Sequence, residues 1–130
     1  MDYQKAKGKY EEASVITASN NEIIILMIQK ALQNLEKAKV AIQICNLPEK
    51  NRLLNQVQQI VLELMTYVNM QTEEGKRVLA LYDYINRRLI EANIEKSVLK
   101  VNEVEEYFME LLAAWKDVKK QHVKLKCSKE

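Results

Sequence analysis

Glycine and proline are nearly missing from this chain, which has only Gly8, Gly75 and Pro48 among its 130 residues. Tight turns depend on those two residue types, so so few of them exclude the many short connections of an all-β fold and favour helix. The length suits one domain, 1–130, with a core of its own and no room for a second. Histidine is rarer still: His122 is the only one, and it falls in the terminal stretch. Neither a histidine metal cluster nor the paired Glu-x-x-His motifs of di-iron bundles can be built from it, nor is it placed to serve as a base in a pocket. No glycine-rich phosphate loop is present. The sequence therefore argues against an enzyme and implies no cofactor and no metal.

Cys45 and Cys127 lack CxxC spacing and form no disulfide framework, so both read as reduced thiols. The longest unbroken apolar run, Ile23 to Ile28, is too short to span a bilayer, and no basic stretch followed by an apolar core opens the chain. These features predict a cytoplasmic protein with no stable membrane insertion. A net charge of +2, with acids and bases interspersed, leaves no footprint for nucleic acid. The exception is the stretch from 119 to 130, where Lys119, Lys120, Lys124, Lys126 and Lys129 face Glu130 alone. It reads as a basic, flexible tail.

What is abundant is helical periodicity. Ser19-Asn20-Asn21-Glu22 has the form of a capping box and predicts a helix start, after which Ile24, Ile28, Ala31, Leu35, Ala38 and Ile42 form one stripe ending near Cys45. Asn46-Leu47-Pro48 stops that helix and opens the next. The second segment carries Leu53, Val57, Ile60, Leu64 and Tyr67 on one stripe and Leu54, Val61, Met65 and Val68 on another, an unusually wide apolar face. Met70 to Lys76, containing Gly75, reads as a connection. A third helix with Val78, Leu81, Tyr82, Ile85, Leu89 and Ala92 is expected to end at Asn93. Ser97 is a fair N-cap for a fourth, striped by Val101, Val104, Phe108, Leu111, Trp115 and Val118. The prediction is an all-α antiparallel four-helix bundle, with residues 1–18 as a short N-terminal arm or cap.

Ile23 to Ile28 would be apolar all round a helix, whereas a bundle helix needs only part of its circumference buried. Either the N-terminal arm covers the surplus, or an amphipathic segment of another protein lies along it. The wide face of the second helix, with Leu54 and Val61, poses the same question. Ile23 and Met27 point away from the Ile24–Ile28 stripe and are candidates to line such a groove, methionine being suited to a flexible client. Tyr82 and Tyr84, two apart on one helix, face different ways, so Tyr82 is assigned to the core and Tyr84 to solvent or a client. Arg87 and Arg88 have local partners in Asp83 and Glu91. Trp115, on the core stripe, reads as structural.

The residues from Tyr10 to Val118 resemble the flagellin-specific export chaperones. The most specific piece is Leu81-Tyr82-Asp83-Tyr84-Ile85-Asn86-Arg87-Arg88-Leu89-Ile90-Glu91-Ala92-Asn93, which looks like the signature helix of that family. Val15-Ile16-Thr17-Ala18-Ser19, Tyr10 and Ala113-Ala114-Trp115-Lys116 support it. The chain departs from the family pattern where Asn20 stands for a usual proline, Ile28-Gln29-Lys30 for an aromatic-Asp-Gly, and Glu74-Gly75 for paired glycines. The resemblance implies a helical bundle that binds the disordered C-terminal region of flagellin, keeps it from polymerising in the cytoplasm and delivers it for flagellar type III secretion. It implies a client-binding role for Tyr10, with an export-gate protein, an anti-sigma factor or a co-chaperone left open as further partners. A regulatory or structural module that self-associates, or binds another flagellar regulator, is the alternative.

Overall fold

The computed structural model describes the backbone of residues 8–128 and the side chains of residues 20–118. Four helices follow one another: α1 (Gly8–Gln43), α2 (Leu47–Met65), α3 (Glu73–Glu95) and α4 (Val98–Ser128). Each packs on its two neighbours around a square, α1 on α2 and α4, α3 on α2 and α4, with no diagonal contact among the described residues. Short links make neighbours antiparallel, so early α1 meets late α2 and late α4.

The first and third connections follow their sequence signals, Asn46-Leu47-Pro48 and Ser97. At the end of α1, Asn46 N–H bonds to Ala41 C=O (2.8 Å) and Cys45 N–H to Ile42 C=O (3.1 Å), with Cys45 left-handed at φ 59°. This paired closure satisfies carbonyls that the helix itself leaves unpaired. The Asn46 side chain then accepts from Glu49 N–H (3.3 Å), with Pro48 in the first turn of α2. Thr72 caps α3 by accepting from Gly75 N–H (2.9 Å), and Ser97 caps α4 by accepting from Lys100 N–H (3.2 Å).

Five boundaries depart from expectation. α1 does not begin at Ser19: its backbone is helical from Gly8, so residues 8–18 continue α1 instead of forming a separate short element. Nothing between Gly8 and Ser19 breaks a helix, and Asn20 keeps the N–H that a proline would have removed. α3 begins at Glu73, with Gly75 inside its first turn, and runs past Asn93 to Glu95, closing on a left-handed Lys96. α4 continues as helix through Ser128, where a flexible tail was expected from residue 119. Finally, α2 ends at Met65, and Tyr67 and Val68 fold back in a turn, their N–H groups reaching Leu64 and Met65 carbonyls (3.1 and 3.2 Å).

The core is formed by the predicted stripes, with Ile28, Leu35, Val57, Leu64, Ile85, Leu89, Val104 and Phe108 all essentially inaccessible. Val118 is the exception at the end of the α4 stripe, 42% exposed. Polar ties cross the helix pairs. Lys39 on α1 holds Glu105 on α4 (2.7 Å) and Glu36 (3.0 Å), and these contacts raise the lysine pKa, the Glu105 bond most. Lys50, buried at the start of α2, donates to the Asn93 carbonyl of α3 (2.8 Å), where burial first and Lys96 second lower its pKa.

Candidate functional site

The apolar run of α1 divides into two sets of residues once it is wound into a helix. Ile24, Ile25 and Ile28 enter the core, while Ile23 is 39% exposed, Leu26 is 64% exposed and Met27 is half-buried against the core edge. This puts an apolar strip on the outside of α1, lying along its junction with α2 on the Met27 side and with α4 on the Leu26 side.

At the same end of the bundle a notch of about 330 Å³ opens between α1, the α2–α3 turn and α4. Its walls are Ile24, Tyr67, Val68, Val78, Tyr82 and Trp115. The turn residues Tyr67 and Val68 reach it because α2 stops short. Tyr82 forms the floor at 1% exposure; burial pushes its hydroxyl pKa up, partly offset by the Trp115 indole N–H that bonds to it. Trp115 is thus half-buried against the core, and also forms part of the notch wall. Apolar walls with few polar groups suit an inserted side chain or a short helical segment.

On the opposite flank, α3 and α4 are joined by a polar clamp. Arg88 Nε donates to the Tyr84 hydroxyl (2.9 Å) and to Glu103 (3.0 Å), its Nη1 donates to Glu91 (2.7 Å), and the Tyr84 hydroxyl donates to Glu103 (3.2 Å). Lys100 completes it with Glu91 (3.1 Å) and Glu95 (2.6 Å). The Tyr107 ring meets Tyr84 edge-on, centroids 5.7 Å apart at 81°. These contacts raise the Arg88 pKa, Glu91 most, and lower that of Glu91, Arg88 most.

The six residues singled out in the sequence therefore fall in four places. Ile23 and Met27 lie together on the open flank of α1. Tyr84, expected in solvent or against a client, is half-buried and fixed by the clamp. Leu54 and Val61 are corrected outright: both are 0% exposed. The wide face of α2 needs no outside cover because α2 has two bundle neighbours, and each stripe is buried against them. The side chain of Tyr10 lies outside the described residues, as do those of His122, Cys127 and the terminal lysines. Local pairing of Arg87 with Asp83 (3.3 Å) and of Arg88 with Glu91 is as expected, but the reach of Arg88 across to Glu103 is not written in the helix that carries it. The notch was also missed, because it depends on where α2 ends.

The sequence model of the flagellar protein FliS matches residues 3–122. The chain belongs to the FliS family. It is 33% identical to the flagellar secretion chaperone FliS of Bacillus subtilis (strain 168) over 116 residues, 89% of this chain and 87% of that one. It is 28% identical to FliS of Escherichia coli (strain K12), covering 82% and 80% of the two chains. It is also 28% identical to FliSB of Pseudomonas aeruginosa, covering 88% and 96%. In this FliS-family chain residues 81–93 lie within α3, where Tyr82 and Ile85 are core while Tyr84, Arg88 and Glu91 join the clamp. Among the described residues no helix is long and apolar enough to cross a membrane, and no three His, Cys, Asp or Glu residues gather as a metal site.

Proposed function

We propose that this chain is a non-enzymatic cytoplasmic export chaperone that binds the disordered C-terminal region of flagellin, blocks its premature polymerisation and keeps it fit for flagellar secretion. The observation that carries this reading is the outward apolar strip of α1, in which Ile23 and Leu26 are exposed and Met27 lies beside them at the core edge. Family membership supplies the secretion context, and the relatives are named as flagellar secretion chaperones.

The physical logic is competition for a stripe. A flagellin terminus that must make helical contacts in a filament carries an apolar face, and exposing it invites association before export. Laying that face on α1 hides it. Covering a few hundred Å² supplies several kcal/mol at about 25 cal/mol per Å², and the ordering of a disordered client consumes part of that, which leaves the complex releasable. Ile23 and Met27 make the contact, and Tyr10, on the same helix upstream, extends it; an export-gate protein, an anti-sigma factor or a co-chaperone is a further partner compatible with the remaining surface.

Met27→Asp and Tyr10→Ala are each expected to weaken binding of the flagellin C-terminal region by about tenfold, roughly 1.4 kcal/mol, with helicity retained. Calorimetry on the folded variants checks this, and unchanged affinity in both refutes the site.

A further inference from the structure

The flank that α1 shares with α2 has a second property besides its apolar strip. Beyond Met27 a groove of about 440 Å³ runs between the two helices, floored by Leu53 and Ile60 and walled by Lys30, Lys37, Gln56 and Gln59. Its lining includes three cationic side chains and no carboxylate. Arg52, the third cation, is already paired with Glu49 through Nε (3.1 Å). Lys30 and Lys37 form no ion pair among the described residues, and Glu49 feels Lys37 only as a weak distant charge. The contrast with the other side of α1 is direct, since Lys39 there is held between Glu36 and Glu105. Beneath the two free lysines, Asn34 Nδ2 donates to Gln56 Oε1 (2.9 Å), and Gln59 stands exposed with its amide available to a main chain.

We infer that the segment bound along this flank is acidic, with two carboxylates placed to meet Lys30 and Lys37. Seven residues of helix separate these lysines by about 10 Å, so the carboxylates lie two helical turns or about three extended residues apart. This rests on the proposed use of the flank for a client, and it adds the chemistry that selects the client. A second copy of this chain is a poor occupant, because an isologous contact would set the same lysines against each other.

The test uses the flagellin C-terminal region in two forms, native and with every Asp and Glu changed to Asn and Gln, titrated into the full chain at low and high salt. The native form is expected to bind about tenfold tighter at low salt, as two surface pairs would provide. Salt should shrink that margin. Lys30→Glu/Lys37→Glu should abolish it while leaving affinity for the neutralised form unchanged, and Lys30→Gln/Lys37→Gln, which adds no repulsion, should do the same. Equal binding of the two forms by the wild type overturns the inference, as does an equal loss for both forms in the variants. So does sedimentation showing wild-type dimers that the lysine variants dissolve. If the wild type binds neither form, the proposed function fails, and acid selectivity is read instead from a short amphipathic helix with Glu seven residues apart against its Gln counterpart. A preference for the Glu helix that Lys30→Glu/Lys37→Glu removes supports the inference, and no preference overturns it.

Discussion

Leu54 and Met27 are both apolar and both sit beside a helix junction, yet the fold gives them opposite tasks. Leu54 is fully buried where α2 meets its neighbours, and Leu54→Ala should cost about 2–5 kcal/mol through lost contacts and a residual cavity. Urea denaturation checks the loss, while client affinity of the folded fraction should stay as it is. Glu91 provides a test of the clamp. Its pKa is lowered from 4.5 by the hydrogen bond from Arg88 and then by that from Lys100, burial opposing both. The unfolded chain therefore takes up this proton first as pH falls, so the stabilisation is complete above about pH 4.5 and is lost as pH drops through the folded value. Glu91→Gln should be less stable at neutral pH and show a shallower decline in Tm on acidification; parallel acid limbs for variant and wild type would contradict the clamp. Apolar character was legible at both Leu54 and Met27, but which side of a wide stripe stays open depends on how many neighbours the helix has, and sequence spacing does not count them.

At the scale of elements, the stripes and the caps at Asn46-Leu47-Pro48 and at Ser97 before α4 are readable from local chemistry, whereas the Thr72 cap of α3 lies inside the stretch that reads as a connection. The false start at Ser19 shows the limit of such signals. A Ser and a Glu three apart also fit a helix interior, and only a breaker upstream would have forced a boundary there. Gly75 reads in the sequence as part of the connection to the third helix, but the structure gives it a steric reason. It occupies the first turn of α3, and an added Cβ would be driven into the Asn69 carbonyl oxygen and crowd the Thr72 hydroxyl. Alanine normally favours a helix by about 1 kcal/mol over glycine; here Gly75→Ala should destabilise, as thermal melts would show, because the Asn69–Thr72 turn would have to open. A stabilised alanine variant would contradict that close approach. The same turn positions Tyr67 and Val68, so its disturbance should also distort the notch.

For the whole molecule, the square arrangement explains why part of α1 keeps an apolar strip on the outside. Helices of 19 and 23 residues, α2 and α3, complete a core with parts of α1 and α4, which are longer at 36 and 31 residues. The apolar run of α1 is only half used by that core, and Ile23 and Leu26 remain outside. The bundle and its family resemblance were legible from periodicity and from residues 81–93, and so was the outward placement of Ile23, whereas the exposure of Leu26 and the charged groove beside the strip emerged only when α1 was set against its neighbours. If the outer strip of α1 holds flagellin out of its polymer, seeded flagellin polymerisation followed by light scattering should cease to elongate near one chain per flagellin as the chain is titrated in, and Met27→Asp should restore elongation. Elongation that proceeds unchanged at excess wild-type chain would refute that role.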